Sequence, residues 1–406
     1  MQRSSNRILT THVGSLPRPA QLISLMRRIE AGEAVDGAAA DQQISAGVKD
    51  IVAKQIECGV DIVDDGEMGK PGFVNYVNDR LAGFEAAPTG QQPQWSGSRE
   101  IDAFPEFYAW FEKLMSADAG PPRQRMICRA PIKYTGRQAL QRDIANLLDA
   151  CRGQAVTEAF MPSISPATVE AYQLNEFYKT SEEFLFAIAE AMREEYLAIV
   201  KAGLILQIDD PRLVTHYARN PNMTLEECRR WAAIRVEALN HALRGIPEDR
   251  VRHHVCYGIN MGPRVHDMNL KDIVDVILTI KAGAYSFEAA NPRHEHEWRL
   301  WETVKLPEGK LLIPGIITQS SFLVEHPELV AERIIRFASV VGRENVIAGS
   351  DCGFATFATA DETHPTITWA KLKALSEGAR LASDYLWRPK AKAMTPSVER
   401  RLLFGN

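Results

Sequence analysis

The sequence of 406 residues has no apolar run long enough to cross a membrane. Its longest apolar stretches, such as residues 204–208, are only as long as a β-strand, whereas a membrane-spanning helix needs about 20 apolar residues. Residues 1–6 are polar and lack the apolar segment of a secretory signal. We therefore expect a cytoplasmic protein that has no membrane partner.

A large charge of one sign is absent as well. The chain has 47 Lys and Arg residues against 52 Asp and Glu residues, which gives a net charge of −5 at pH 7. Such a balance creates no broad basic field for a polyanion. The composition therefore disfavours nucleic acid and anionic membranes as partners.

Cysteine is sparse and widely spaced. The six cysteines form no dense framework of the kind that small secreted proteins use. In a cytoplasmic chain, cysteines are more often core residues, metal ligands or nucleophiles than halves of disulfides. We expect these roles for Cys58, Cys128, Cys151, Cys228, Cys256 and Cys352.

Short β-rich runs alternate with longer stretches of helical periodicity. This alternation predicts a parallel sheet with crossover helices, and eight such units close a TIM (β/α)8 barrel. Nine runs are present, so we assign one to an insertion around residues 84–134, expected to contain a hairpin and to cover one end of the barrel. Residues 1–406 are predicted to form a single catalytic barrel domain. The nine runs are 8–15, 60–67, 126–134, 155–163, 203–211, 251–258, 284–290, 310–318 and 345–352.

Four residues at the ends of these runs suit a zinc ion. His254 and Cys256 are two positions apart on a strand, which places both side chains on the same side. Glu288 ends the next run and Cys352 ends the last one. Zinc favours nitrogen and sulfur ligands in a tetrahedral shell, and the carboxylate is the donor most easily displaced by a substrate sulfur. Alone, each residue is a weak signal, because a cysteine at a strand end more often packs in the core, and His253 is a competing ligand.

Six short segments carry a family resemblance. Together, and in this order, they resemble the C-terminal catalytic barrel of cobalamin-independent methionine synthase and its single-barrel relatives, which include proteins like the epoxyalkane:coenzyme M transferases. The segments are 10–17, 66–67, 207–211, 254–256, 286–288 and 351–353.

The resemblance implies a zinc-dependent S-methyltransferase of methionine biosynthesis. Zinc would be held by His254, Cys256, Glu288 and Cys352, and the amino-acid end of the thiol substrate by Gly14, Ser15, Glu67 and Asp209. Two carboxylates can pair with an α-ammonium group, and the N–H groups of a turn can receive a carboxylate. The alternatives are that Glu67 and Asp209 form structural ion pairs at the mouth and that Ser15 caps a helix.

The sequence departs from the family pattern at the donor side. Ser320 stands where the synthases carry a histidine that serves as proton donor, and residues 161–166 lack the tryptophan that stacks on the folate ring. A loop at 257–269 follows the zinc ligands directly. His294 and His296 are candidate proton donors, or bind an anionic tail together with Arg293; the alternative is a solvated helix start. Further candidates for anion binding are Lys133 and Arg264.

Three functions follow from these patterns. The first is methyl transfer from a methyl-folate to homocysteine, with Zn2+ lowering the pKa of the thiol. The second is addition of a coenzyme M-like thiol to an epoxide or another alkyl donor. The third is a non-catalytic barrel with a structural zinc ion. A closed site that does not exchange a ligand for a thiol would indicate this function.

Overall fold

The chain forms eleven short strands among the residues that this computed structural model describes, which are 1–30, 33–88, 97–116, 125–258, 262–357 and 363–388. In chain order they are β1 (Leu9–Thr10), β2 (Ile62–Val63), β3 (Leu81–Ala86), β4 (Met126–Tyr134), β5 (Glu158–Ile164), β6 (Leu174–Asn175), β7 (Ile205–Asp209), β8 (Val251–Val255), β9 (Ala284–Phe287), β10 (Leu311–Ile317) and β11 (Ile347–Ser350).

Eight of the strands form one parallel sheet in the order β1-β11-β10-β9-β8-β7-β5-β2. Its two edges approach each other, because the N–H group of Asp61 donates to the carbonyl of Thr10 at 3.2 Å and the hydroxyl of Thr11 donates to the carbonyl of Ile62 at 3.0 Å. The sheet is therefore a nearly closed barrel. The predicted TIM barrel is confirmed, and each barrel strand overlaps one of eight predicted runs.

Helices connect and cover the strands. The helix α9 begins with a capping box in which the Thr224 hydroxyl and the Glu227 carboxylate each accept a backbone N–H bond of the other residue. The described α-helices are α1 (Ala20–Glu30), α2 (Gly37–Glu57), α3 (Arg99–Ala103), α4 (Pro105–Ser116), α5 (Arg137–Cys151), α6 (Pro166–Tyr172), α7 (Ser181–Lys201), α8 (Arg212–Arg219), α9 (Leu225–Ala242), α10 (Val274–Ile277), α11 (Pro327–Val341) and α12 (Pro365–Trp387). No helix within the described ranges is long and apolar enough to span a bilayer.

The remaining three strands form a separate sheet in the order β3-β4-β6. The antiparallel pair of β3 and β4 confirms the predicted insertion, although it begins at Leu81, three residues before the predicted boundary. The two strands are separated by residues 87–125, which include α3 and α4, so they do not form the simple hairpin that was expected. Residues 89–96 and 117–124 of the predicted insertion lie outside the described residues. The ninth predicted run is β4, which pairs with β3 instead of a barrel strand.

A buried carboxylate joins this small sheet to the barrel. Glu195 of α7 accepts hydrogen bonds from Tyr134 at 2.7 Å, Ser163 at 2.7 Å and Tyr76 at 2.8 Å, and forms an ion pair with Arg80 at 3.1 Å. Because each donor comes from a different element, the network fixes the insertion against β5. Buried polar groups need such partners to offset their loss of hydration.

The barrel interior is apolar at the strand starts and polar above them. Arg252 of β8 lies across the interior, 3.4 Å from the ring centre of Phe160, and donates to Gln207 at 2.6 Å and to Thr11 at 2.9 Å. This polar layer separates the apolar base from the C-terminal mouth, where a TIM barrel carries its functional groups. The apolar base consists of Leu9, Ile62, Phe160, Ile205, Ala284, Leu311, Ile313 and Ile347.

Candidate metal and substrate site

His254, Cys256 and Cys352 come together at the C-terminal ends of β8 and β11. Their potential ligand atoms all lie within 4.8 Å of one another, and the two Sγ atoms are 3.6 Å apart. All three side chains are buried. The structure therefore brings together three of the four residues that the sequence predicts as zinc ligands.

Strand geometry selects His254 over its neighbour. Successive side chains of a strand point to opposite sides. His253 accordingly lies beside Asp210, with its Nε2 atom 3.7 Å from the carboxylate, and is not part of the group. The competing assignment of His253 as a ligand has no support in this arrangement.

The imidazole of His254 has one hydrogen-bonded ring nitrogen and one that is available to a metal ion. Its Nδ1 atom lies 3.0 Å from the Ser286 hydroxyl, whereas its Nε2 atom is buried and has no hydrogen-bond partner among the described residues. Burial, followed by the charges of His253 and Arg252, lowers the pKa of His254 to about 3, so the ring is neutral. A neutral imidazole with one oriented nitrogen and one free nitrogen, next to two thiols, fits a zinc ion.

A glycine lets the Cys352 turn approach the first strand. A Cβ atom at Gly353 would lie only 2.1 Å from the Ser15 hydroxyl, so glycine alone permits the contact. The next residue, Phe354, donates its N–H group to the carbonyl of Ser15 at 2.9 Å. The predicted metal ligand Cys352 and the predicted substrate residue Ser15 are thereby placed side by side.

Glu288, the fourth predicted ligand, is engaged elsewhere. Its Oε1 atom accepts the N–H group of Tyr257 at 2.7 Å, and its Oε2 atom accepts from Arg264 at 2.8 Å and from Asn291 at 2.7 Å. It is not a member of the group formed by the imidazole and the two thiols. The carboxylate is thus satisfied by protein donors alone.

The partner of Glu288 lies in the loop that follows β8. Arg264 has a positive φ of 58°, a conformation that costs a residue with a side chain about 1–3 kcal/mol. The insertion holds this loop, since Glu100 of α3 accepts the N–H groups of Val265 at 3.2 Å and His266 at 3.1 Å. The sequence suggested that Arg264 binds an anion, and the anion in the structure is Glu288.

His294 and His296 have different surroundings. His294 is buried, stacks on Tyr257 with ring centres 3.9 Å apart, and contacts Glu297 at 2.9 Å and Asp267 at 3.2 Å. Burial lowers its pKa, but the two carboxylates outweigh this effect and raise the pKa to about 9. His296 is exposed, and no described contact joins it to the three-ligand group. His294 therefore supports the loop carrying Arg264, while His296 faces solvent.

The end of β10 offers a polar residue that the sequence patterns did not single out. Ser320, the predicted substitute for a histidine, is partly buried and donates its N–H group to the Thr318 hydroxyl at 3.2 Å. The preceding Gln319 is buried, and neither amide atom has a hydrogen-bond partner among the described residues. An unpaired buried amide at a barrel mouth is a candidate substrate contact. Its position at the end of a predicted strand was the available signal.

The predicted substrate residues lie at the ends of β1, β2 and β7. Gly14 has φ 147°, and a Cβ atom there would lie 2.8 Å from the Pro162 ring. Glu67 is buried with φ 58°, and its Oε2 atom has no hydrogen-bond donor among the described residues. Burial and then the charge of Glu67 raise the pKa of Asp209 well above its ordinary value.

Among the described residues, the cation that pairs with Glu67 is Lys70. The Nζ atom of Lys70 is 3.6 Å from Oε1 of Glu67 and donates to the carbonyl of Pro162 at 2.7 Å. The alternative of a structural ion pair at the mouth therefore accounts for one oxygen of Glu67 but not for the other. Buried acceptors without donors are costly, and an incoming ammonium group would satisfy them.

A family model matches residues 8–102 and 166–374, well over half of the chain, and describes the catalytic domain of the cobalamin-independent synthases. The chain belongs to this family. The unmatched residues 103–165 contain α4, β4, α5 and β5. They include most of the segment 161–166, where this sequence lacks the tryptophan that the synthases carry.

Curated relatives agree with this placement, and a solved structure agrees with the fold. A methionine synthase of Thermococcus kodakarensis is 24% identical over 348 residues, which cover 85% of this chain and 86% of the relative. One of Saccharolobus islandicus is 24% identical over 386 residues, covering 93% and 96%. A B12-independent methionine synthase of a Shewanella species, solved in complex with selenomethionine, superimposes with a TM-score of 0.68 at 18% identity, covering 94% of this chain and 99% of that one. The last similarity concerns the fold.

Proposed function

We propose that the protein is a zinc-dependent S-methyltransferase that alkylates the sulfur of homocysteine and yields methionine, with the chain acting as one catalytic barrel domain. The single observation that carries the proposal is that a candidate metal site and a candidate ammonium site lie at the same mouth of the barrel. The group of His254, Cys256 and Cys352 suits a metal and a thiol, and the unpaired oxygen of Glu67 suits an ammonium group. Homocysteine carries both groups, a thiol at one end and an α-ammonium group at the other.

The chain's own residues bind and orient the substrate. Glu67 and Asp209 hold the α-ammonium group, and the turn at Gly14 and Ser15 receives the α-carboxylate. Because Ser15 contacts the turn that carries Cys352, the amino-acid end and the sulfur end are fixed relative to each other. Such alignment of reacting groups contributes several kcal/mol to catalysis.

Zinc, when bound, supplies an electrophilic centre that lowers the pKa of the substrate thiol. His254, Cys256 and Cys352 would hold the ion, and Glu288 is the fourth candidate. We propose that Arg264 and Asn291 keep Glu288 away from the metal position until it is needed. Three protein ligands would leave one coordination position, for which Glu288 and the substrate sulfur are the candidates.

A proton must reach the group that leaves the alkyl donor. Ser320, His294 and His296 remain the proposed proton donors. Gln319, which precedes Ser320 and has a buried amide without a partner among the described residues, is a further candidate contact for the leaving group. Both ring nitrogens of His294 already contact carboxylates, so its proposed role is to hold Asp267, and through it Arg264, in place.

The acidic pair distinguishes between the candidate thiols. Coenzyme M carries a sulfonate and no ammonium group, so it has no donor for the unpaired Oε2 atom of Glu67. For the donor, an epoxide or another alkyl compound remains the second candidate. The observation that favours it is that segment 161–166 offers no aromatic ring on which a folate could stack. Ser163 of this segment is buried and donates to Glu195 at 2.7 Å.

The decisive experiment combines two thiols with several donors. Zinc-loaded protein is incubated with homocysteine or coenzyme M and with a methyl-folate or an epoxide, and products are identified by mass spectrometry. We expect alkylated homocysteine and no alkylated coenzyme M. A protein that binds one zinc ion but alkylates neither thiol with any donor would instead be a structural-zinc barrel.

A further inference from the structure

Arg18 follows β1 in the chain and is not among the residues to which the proposed function assigns a contact with metal or substrate. Its side chain is 5% exposed and donates three hydrogen bonds to backbone carbonyls. One Nη atom donates to Ala355 at 2.9 Å, and the other donates to Glu67 at 2.8 Å and to Lys70 at 3.0 Å. These carbonyls belong to two loops that lie far apart in the sequence.

The first loop, the Glu67 turn (residues 66–70), carries the proposed ammonium site. Its Gly66 carbonyl accepts the N–H group of Leu16 at 3.2 Å, and the carbonyls at its other end accept from Arg18. The segment that follows β1 therefore holds the turn along its length. Because the Glu67 carboxylate is attached to this backbone, the place at which it meets an ammonium group depends on where the turn is held.

The second loop, the Cys352 loop (residues 352–357), carries a proposed metal ligand. Its Ala355 carbonyl, three positions after the ligand, accepts from Arg18. The two loops also touch directly, because the N–H group of Phe73, just beyond the Glu67 turn, donates to a carbonyl of the Cys352 loop at 3.4 Å. Arg18 thus bonds to both loops at once, beside a longer direct contact.

The chemistry of arginine suits such a link. A guanidinium is planar and holds its five N–H donors in a fixed fork, so the acceptors that it binds are kept at a fixed spacing. A lysine ammonium is a point charge on a flexible stem and imposes no such spacing. Buried carbonyls also need donors, so both loops depend on the fork. The separation of the loops is therefore set by this side chain.

We propose that Arg18 is a positioning residue that sets the distance between the metal site and the ammonium site, and thereby selects the length of the thiol substrate. Homocysteine has one methylene group more than cysteine between its sulfur and its amino-acid end. A fixed distance accepts one chain length, whereas loosely held loops accept both. The selection of a thiol rests on the proposed function. The link between the two loops does not, because it can be measured without a thiol.

The link is tested by hydrogen exchange, read by mass spectrometry, in the full chain with zinc and with a chelator. Zinc bound at the Cys352 loop restricts that loop, and Arg18 transmits the restriction to the Glu67 turn. In the wild type, we expect zinc to slow exchange in both loops, by about twofold or more in the Glu67 turn. In Arg18→Gln, only the Cys352 loop should respond. A Glu67 turn that ignores zinc in the wild type, or that responds equally in Arg18→Gln, overturns the proposal.

Two further variants sharpen this test. Arg18→Lys keeps the positive charge but cannot span both loops, so it should behave like Arg18→Gln, and it decides the question if Arg18→Gln does not fold. The matched control is Arg193→Gln, which removes an arginine that donates to the carbonyls of Ala242, at 3.2 Å, and Arg244 at the end of α9. The control should respond like the wild type. An Arg18→Lys protein that also does so would assign the link to charge and overturn the role of the fork.

Selection of the thiol is measured by titration calorimetry of the zinc-loaded proteins with homocysteine, cysteine and 2-mercaptoethanol. The wild type and the control should bind homocysteine at least about tenfold more tightly than cysteine, the scale of one methylene group. Both Arg18 variants should bring this ratio close to one and leave the affinity for 2-mercaptoethanol, which needs only the metal, unchanged. A general loss of stability would instead weaken all three thiols alike.

Equal affinities for homocysteine and cysteine in the wild type, an unchanged ratio in the variants, or a uniform loss for all three thiols overturns the selection of thiol length. If the wild type binds zinc but none of the thiols, the proposed function fails. Hydrogen exchange then still decides whether Arg18 links the two loops.

Discussion

Two buried glutamates lie on opposite sides of the barrel mouth, and their surroundings differ. Glu288 is 1% exposed and accepts from Tyr257, Arg264 and Asn291. Glu67 is 2% exposed, adopts a positive φ, and leaves Oε2 without a donor among the described residues. The comparison separates a carboxylate whose partners are built into the protein from one whose partner must come from outside.

The difference follows from chain geometry. Glu288 is followed by a turn whose N–H groups at Ala289, Ala290 and Asn291 donate to Asp351, so the turn is rigid and brings the Asn291 amide to the carboxylate. Glu67 follows a turn in which Asp64 accepts the N–H group of Gly66 and Asp65 accepts that of Glu67. These aspartates stabilise the turn but donate nothing to the Glu67 carboxylate. Backbone strain combined with a buried carboxylate oxygen that has no donor among the described residues is typical of a binding site.

The largest effect is expected from the thiols between these two glutamates. Cys256→Ser and Cys352→Ser should each weaken zinc binding by more than about 100-fold, since the loss of an outer partner alone costs roughly 10–100-fold. Metal analysis and competition with a chelator measure this. The control Cys228→Ser, a buried cysteine of α9, should retain one zinc ion per chain. Full zinc content in both site variants would remove the metal assignment.

The comparison itself predicts unequal stability costs in the metal-free protein. Glu288→Gln should lower the free energy of unfolding by about 1.5–3 kcal/mol, because buried Arg264 loses its charged hydrogen bond to Glu288 and keeps the one to Asp267 at 2.7 Å. Glu67→Gln should change it by at most about 1 kcal/mol, because only Lys70 loses a charge partner, at 3.6 Å. Urea unfolding measures both, with the exposed Glu302→Gln as control. Equal losses would show that the two sites are both structural.

Substrate affinity should show the reverse order. Glu67→Gln and Asp209→Asn should each weaken homocysteine binding by about 1.5–3 kcal/mol, the contribution of a hydrogen bond to a charged group. Zinc content should not change. Titration calorimetry with 2-mercaptoethanol, which lacks the ammonium group, provides the control and should give equal affinities in wild type and variants. Unchanged homocysteine affinity would assign both carboxylates a purely structural role.

The smallest effect concerns the orientation of His254. Ser286→Ala removes the hydroxyl 3.0 Å from Nδ1 and should weaken zinc binding by roughly 10–100-fold. Ser286→Thr, which keeps the hydroxyl, should restore most of the affinity. The control Ser339→Ala changes an exposed serine of α11. If Ser286→Ala binds zinc as tightly as the wild type, packing alone orients the ring.

The sequence alone was sufficient for the barrel and the family. Alternating runs identified the eight barrel strands, and the irregular stretch before residue 134 identified the insertion. The spacing of His254 and Cys256 placed both side chains on one side of β8, because the period of a strand is two. These features depend on local patterns, which physical chemistry translates directly into local structure.

The partners of the site residues were decided by the tertiary structure. Arg264 reaches Glu288 over 24 positions in sequence, and the contact of Ser15 with Gly353 joins the first and last strands of the barrel. Nothing in the local pattern at Gln319 indicated that its amide would be buried without a partner. The sequence determined which groups end each strand. Only closure of the barrel decided which of those groups meet, because contacts between distant segments depend on how the whole sheet curves and packs.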